Sequence, residues 1–257
     1  MWMGIVLAAM LGQIGSDGGG FSYSLGALGN IGKNLLAVPL PTLQQFKNPV
    51  PDYIPCARIS DMLLNPGAEF HYNGRTLLYP DIRLVYWAGG NPFHHHQDIN
   101  RLRAAFRRPE TIIVHESAWT STARHADIVL PATTTLERDD IGAADRDPLM
   151  IAMKRLIAPV GEARDDYEIF AGIARELGRF EAFTENRSSG EWLAFLYETT
   201  RQALAASGHE APDFETFWER GELPLPVKPD DGGPARAFLE NPATKPLATP
   251  SGTVSYT

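Results

Sequence analysis

Residues 82–106 read IRLVYWAGGNPFHHHQDINRLRAAF, and residues 111–131 read TIIVHESAWTSTARHADIVLP. The apolar run Ile82 to Ala88 has strand length, Gly89 to Pro92 is a turn, and His96 to Phe106 carries helical spacing through Ile99, Leu102 and Phe106. Together these make one beta-alpha unit. Thr111 to His115 and Asp127 to Pro131 are two further short apolar runs of the kind buried in sheets, and Trp119 to His125 between them is too short for a long crossover helix. This alternation predicts an α/β fold with a doubly wound, largely parallel sheet.

Working outward, the apolar opening Met1 to Leu11 reads as a core helix. It has no basic lead, the first Lys or Arg being Lys33, and it is shorter than the roughly 20 residues a membrane span needs. Gly12, Gly15 and Gly18 to Gly20 then mark a helix exit, and residues 18–55, with little apolar periodicity, read as a long and poorly ordered loop. A short helix is expected over Ala57 to Leu64. Asp165 opens a helix with Ile169, Phe170, Ile173 and Leu177 on one face and Gly178 as its stop. Ser188 with Glu191 has capping-box spacing ahead of a second helix containing Trp192, Leu193, Leu196 and Leu204. The expected division is residues 1–80 as helix, Gly-rich loop and connecting segment, 81–220 as the α/β domain, and 221–257 as a Pro/Gly-rich linker. A chain that opens on a helix without a predecessor and closes on the start of a strand, TPSGTVSYT, reads as an internal piece of a longer polypeptide.

Composition narrows the function. The 257 residues are 44% apolar, enough for a real core, and 31 acidic against 23 basic residues give a net charge of −8. That balance, with no basic run, argues against a nucleic-acid surface. The single cysteine, Cys56, excludes an internal disulfide and a multi-thiolate zinc site, so a cytoplasmic setting is the default, or the periplasm if a twin-arginine signal precedes the chain.

In an open parallel sheet, ligands bind beyond the carboxyl ends of the strands. Three segments lie there: GGNPFHHHQD, HESAWTSTARHAD and PATTTLERDD. Gly89 and Gly90 allow close backbone approach, and Asn91 offers a donor and an acceptor to a ring edge. Glu116 can accept two hydrogen bonds from an N–H and amino edge such as guanine's, and Arg138 supplies a planar fork for a phosphate or carbonyl. His94, His95 and His96 are adjacent and cannot all face one metal ion, so one histidine at a ligand with two others solvated is the expectation. Trp119 is expected to pack in the core, and Glu137, Asp139 and Asp140 to be solvated or paired with Arg138 and Arg146.

The strings MLGQIGSDGGGFSYS, residues 84–106 without their first two residues, HESAWTSTARHADIVLPATTTLERDDIG, GEARDDYEIFAGIARELG and TPSGTVSY resemble, in order and spacing, consecutive parts of the dimethyl sulfoxide reductase family of molybdopterin oxidoreductases. The resemblance implies that residues 81–220 bind one half of a bis(molybdopterin guanine dinucleotide) molybdenum cofactor, and that the full-length enzyme reduces an S-oxide or N-oxide by oxygen atom transfer. It implies cofactor contacts from Gly90, Asn91 and His95, a guanosine pocket formed by His115 and Glu116, and Arg138 to complete it. The family's metal-ligating serine and its terminal barrel domain lie outside these residues, so the expected partners are the remaining domains of the same enzyme, the oxide substrate and an electron donor, with no nucleic acid or membrane. The HES after the second strand and the TTTLERDD after the third favour the biotin sulfoxide branch. A guanine-nucleotide-binding module without catalysis fits the strand-end pattern as well.

Overall fold

Along the strand Thr111–Glu116 side chains alternate between two faces, and Ile112, Val114 and His115 are all buried, so neither face meets water. The computed structural model describes residues 2–14, 16, 18–21, 34–50, 52–72, 74–229 and 236–246. Helix α1 (Trp2–Met10) is followed by a 3-10 turn at Cys56–Arg58, helix α2 (Ile59–Leu64) and strands β1 (Glu69–Tyr72), β2 (Arg75–Leu78) and β3 (Leu84–Ala88). Helices α3 (Pro92–His95) and α4 (Ile99–Ala105) lead to β4 (Thr111–Glu116), then to β5 (Ile128–Pro131), β6 (Asp140–Gly142) and β7 (Leu149–Met153). Helices α5 (Asp166–Glu176), α6 (Phe180–Thr184), α7 (Ser189–Ala206) and α8 (Phe214–Arg220) precede β8 (Glu222–Pro224) and α9 (Arg236–Glu240).

Two compact units form. One comprises Leu43–Asp140 and Met153–Leu193, the other Met1–Thr42, Ile141–Ala152 and Ala194–Thr257. They do not follow the division at residues 80 and 220.

In the first unit β3, β4 and β5 are parallel, with Ala88 opposite His115 and Glu116 opposite Pro131. Val85, Trp87, Ile112 and Val114 face one side and pack with Leu63 of α2, with Phe93, and with Leu102 and Ala105 of α4. On the opposite face Tyr86 and His115 meet Phe170 of α5, at ring separations of 5.5 and 4.8 Å. Helices therefore cover both faces, the doubly wound arrangement expected. The expected helix from His96 begins instead at Ile99. Asp98, at φ +47°, turns the chain and its carboxylate accepts from the Arg101 amide at 3.0 Å, so the cap fixes the start. No long helix joins β4 to β5. The Asp127 carboxylate accepts from the Ile112 amide at 2.8 Å and closes the strand entry directly. Asp165 caps α5 through the Glu168 amide, and Ser188 with Glu191 forms the reciprocal capping box before α7. A hairpin of β1 and β2, antiparallel from Glu69 opposite Leu78 to Tyr72 opposite Arg75, completes this unit.

The second unit holds a sheet in the order β6-β7-β8, with β7 and β8 antiparallel through Met150 opposite Leu223. Tyr197 of α7 stacks on Phe217 of α8 at 4.4 Å, and both are fully buried over Met150, Leu223 and Leu225. The stretch expected as a linker from residue 221 thus supplies core residues. Its prolines are tolerated because β8 is an edge strand, where missing amide donors face no partner. Of residues 18–55, expected as a loop, 22–33 and 51 lie outside the described residues. Leu36 pairs with Val227, and with Val38 it is buried in the same core. The closing TPSGTVSYT also lies outside the described residues.

Deleting a fully enclosed ring leaves a cavity as well as losing transfer energy. Phe217→Ala is therefore expected to lower stability by about 3–5 kcal/mol, and Leu84→Ala, at a half-exposed position, by less than about 1 kcal/mol, as read from urea unfolding midpoints.

Candidate functional site

The parallel register brings the carboxyl ends of β3, β4 and β5 to one edge, so the loops that leave them are neighbours. Gly89 and Gly90 leave β3 at φ +78° and +75°, a conformation that a side chain would strain, and both are exposed. A Cβ at Gly89 would meet nothing within 4 Å, so open space lies over this turn. Asn91 follows as the residue before α3, with Pro92 at the first helical position.

Two latches hold the neighbouring loop. The hydroxyl of Thr122, fully buried, donates to Oδ1 of Asn91 and ties the turn after β3 to the loop after β4. Glu116, the last residue of β4, accepts from the Ser117 amide at 3.1 Å and from the Thr120 hydroxyl at 2.8 Å. Its backbone carbonyl accepts from the Ala132 amide at 3.1 Å, which joins the third loop. A carboxylate can accept about four hydrogen bonds, so Glu116 keeps acceptor capacity for a ligand.

His115 is turned the other way. Its imidazole is buried beneath α5, with Nε2 2.6 Å from the Tyr86 hydroxyl and Nδ1 2.7 Å from Oδ1 of Asp166. An ionised carboxylate accepts only, so Nδ1–H donates to Asp166, while Nε2 shares its hydrogen bond with the Tyr86 hydroxyl. Burial, with a smaller contribution from Asp166, raises the Tyr86 hydroxyl above its ordinary value and keeps it protonated. No local pattern announces this arrangement, because Asp166 lies 51 residues from His115.

The remaining expected residues sit further out. His95 is exposed on α3, and its neighbour His96 is held below the usual histidine value by partial burial and then by His95. Arg138 donates to the Thr133 carbonyl at 2.8 Å and pairs with Asp140 at 3.3 Å. Among the described residues, no hydrogen bond joins it to Asn91 or Glu116. Beside it, the buried Thr133 hydroxyl lacks a hydrogen-bond partner among the described residues and lines a cavity of about 180 Å³ in which Arg138, Arg155 and Arg164 are balanced by Glu137, Asp139, Asp165 and Glu168.

Two expectations are overturned. Trp119 is not core: it is 69% exposed on the loop after β4. Glu137 is not solvated: at 5% exposure it accepts from the amide and hydroxyl of Thr134, at 2.7 and 2.8 Å, and from the Val160 amide at 2.7 Å. The polar string around Glu137 resembles a surface loop, yet three donors converge on one carboxylate and draw it inside. Asp139 is also engaged, accepting from the Arg155 amide at 2.7 Å.

The profile of the family described as molybdopterin oxidoreductase matches residues 1–176. The chain belongs to the molybdopterin oxidoreductase family. It is 50% identical over 98% of its length to the biotin sulfoxide reductase of Cereibacter sphaeroides, covering 34% of that protein. To the dimethyl sulfoxide/trimethylamine N-oxide reductase of the same organism it is 45% identical over 98% of its length, covering 32%. The chain thus spans about a third of the length of the curated relatives it matches. Acetylene hydratase from Pelobacter acetylenicus aligns in structure with a TM-score of 0.45 and 20% identity, over 68% of this chain and 22% of that one. Membership of the molybdopterin oxidoreductase family implies a molybdenum–molybdopterin cofactor. Among the described residues, no helix is long and apolar enough to cross a membrane.

Hydrogen bonds from the Thr134 amide, the Thr134 hydroxyl and the Val160 amide hold the Glu137 carboxyl below its ordinary value. A depressed carboxylate contributes stability that is complete above the unfolded-state pKa and is lost as pH falls through the folded one. Glu137→Gln is expected to lower the melting temperature at pH 7, with the gap to the unaltered chain closing as pH falls below the usual carboxylate range. Glu162→Gln, at an exposed position, should leave the melting curve unchanged at both pH values.

Proposed function

We propose that the full-length protein is a molybdenum oxidoreductase that reduces S-oxides or N-oxides by oxygen atom transfer, with biotin sulfoxide as its preferred substrate, and that residues 81–220 hold one guanine dinucleotide arm of its cofactor. The observation that carries this reading is the 50% identity to a biotin sulfoxide reductase across 98% of the chain. HES at 115–117 and TTTLERDD at 133–140 support the biotin sulfoxide branch over a dimethyl sulfoxide or trimethylamine N-oxide reductase. When bound, the cofactor supplies the two-electron chemistry that removes the oxide oxygen. This chain supplies its seat.

The residues fit such a group. The open turn at Gly89 and Gly90 admits a ligand against the backbone, and Asn91, whose Oδ1 is held by Thr122, keeps its amide nitrogen as a donor for it. The free acceptor sites of Glu116 receive the N–H and amino edge of guanine, while Arg138 and the unpaired Thr133 hydroxyl offer donors to a phosphate. His95, exposed on α3, contacts the outer side of the group in this reading. His115 acts from beneath, since its clamp between Tyr86 and Asp166 fixes the end of β4 on which Glu116 stands. The remaining domains of the same enzyme cover the other side of the cofactor, an external donor supplies electrons, and the protein works in the cytoplasm, where an exposed thiol such as Cys56 stays reduced.

The test is turnover of biotin sulfoxide, dimethyl sulfoxide and trimethylamine N-oxide by the purified full-length enzyme with reduced viologen, alongside molybdenum and acid-released GMP per mole. Biotin sulfoxide should give the highest kcat/KM, with molybdenum and guanine present. Metal-free protein without turnover on any of the three refutes the assignment. Residues 1–257 alone should show no turnover above the blank. In the full-length enzyme Glu116→Ala removes charge-assisted bonds of about 1.5–3 kcal/mol and should lower GMP content, whereas Glu162→Ala should not. Equal retention by both variants would remove Glu116 from the guanine site.

A further inference from the structure

Four tryptophans have described side chains, and three of them have ring or cation partners. Trp87 lies 6.5 Å from Phe106, Arg187 sits 4.6 Å over Trp192, and Trp218 lies 5.4 Å from Phe214. Trp119 has no such partner among the described residues and is 69% exposed, an unusual state for the side chain that gains most from burial.

Its backbone is nevertheless held on both sides. Glu116 accepts from Ser117 and Thr120, the Thr120 amide donates to the Ala118 carbonyl at 2.8 Å, and the Arg124 amide donates to the Thr120 carbonyl at 3.1 Å. Two residues further on, buried Thr122 is fastened to Asn91. The indole therefore stands exposed on a loop of held backbone that leaves the sheet at the edge where its ligand loops gather, three residues after Glu116. A flat, rigid ring presented in this way is suited to a second flat ring, because every planar heterocycle has a π-face to offer and stacking needs no matched donors.

We propose that Trp119 is a stacking platform for a planar heterocycle, the base whose hydrogen-bonding edge Glu116 and Asn91 read. This rests on the cofactor-site reading above and adds a residue that recognises the ring by its face instead of its edge. In this arrangement Glu116 has two tasks: its carboxylate receives the base edge and also shapes the turn that delivers the indole.

The test uses guanosine diphosphate as the probe, titrated calorimetrically into the 257-residue chain and into Trp119→Phe, Trp119→Leu and Trp119→Ala, with indole fluorescence followed in parallel. The unaltered chain should bind, with quenching of its emission. Trp119→Phe should bind within a few fold of it. Trp119→Leu and Trp119→Ala should bind about 5- to 150-fold more weakly, the range equivalent to the ~1–3 kcal/mol of base–aromatic stacking, and should lose the quenching. Leucine separates stacking from apolar bulk: Trp119→Leu binding as well as Trp119→Phe overturns the platform. Equal binding by all four proteins also overturns it while leaving the cofactor-site reading intact. Absence of binding to a folded, unaltered chain overturns both.

Discussion

β4 lies between two parallel neighbours and is covered on both faces, by α2 and α4 on one side and by α5 on the other. A one-residue slip would exchange the environments of Ile112 and Val114 with that of His115, placing aliphatic side chains against the Tyr86 hydroxyl and an imidazole in an apolar layer. That penalty fixes the register, and the register decides what leaves the sheet at its carboxyl edge. Ala88, His115 and Leu130 fall in line across the three strands, so the Gly-Gly turn, Glu116 and the 132–138 loop become neighbours without any direct sequence proximity. The site inherits its geometry from a packing requirement one layer below it.

Carboxylates carry much of the local order at that edge. Glu116 opens the loop after β4 and Glu137 lies near the end of the loop after β5, and each gathers an amide and a threonine hydroxyl from within four positions. Glu137 also reaches the Val160 amide, and so fastens two segments that are distant in sequence. A loop shaped by one ionised acceptor is stiff where its amides converge and leaves its other side chains free to point outward. That division of labour suits a surface that must be both rigid and available.

Much of this was legible in the sequence, and the failures have physical causes. The apolar runs at 82–88, 111–115 and 127–131 identify three strands because a strand buried on both faces needs near-continuous apolar residues, and the Asp165 and Ser188–Glu191 caps are local enough to read directly. The sheet of β7 and β8 is not legible, since its partners lie about 70 residues apart and Pro224 and Pro226 disguise an edge strand as a linker. The start of α4 moves because Asp98 caps it from a left-handed conformation, which competes with the helical pattern. At the site, the glycine turn and Glu116 follow from the strand ends, whereas the burial of Glu137 and the inward turn of His115 depend on Val160 and Asp166, contacts across 23 and 51 residues. The exposure of Trp119 is hidden because apolarity alone predicts burial, and the loop that carries it is held by a contact between Glu116 and Thr120 that no sequence pattern marks.

The bridge between Leu36 and Val227 bears on how the chain is made. About 190 residues separate the two, and the core they join also draws on Met150, Tyr197 and Phe217. At ribosomal speeds of about 5–20 residues per second, the segment around Leu36 waits roughly 10–40 s for its partner to be synthesised. Through that interval Leu36 and Val38 are apolar groups without their native cover, while the three-stranded parallel sheet, complete once Pro131 has emerged, can assemble ahead of them. The nascent polypeptide therefore carries a finished sheet beside an unfinished core, and that interval is when holding chaperones have the most to protect.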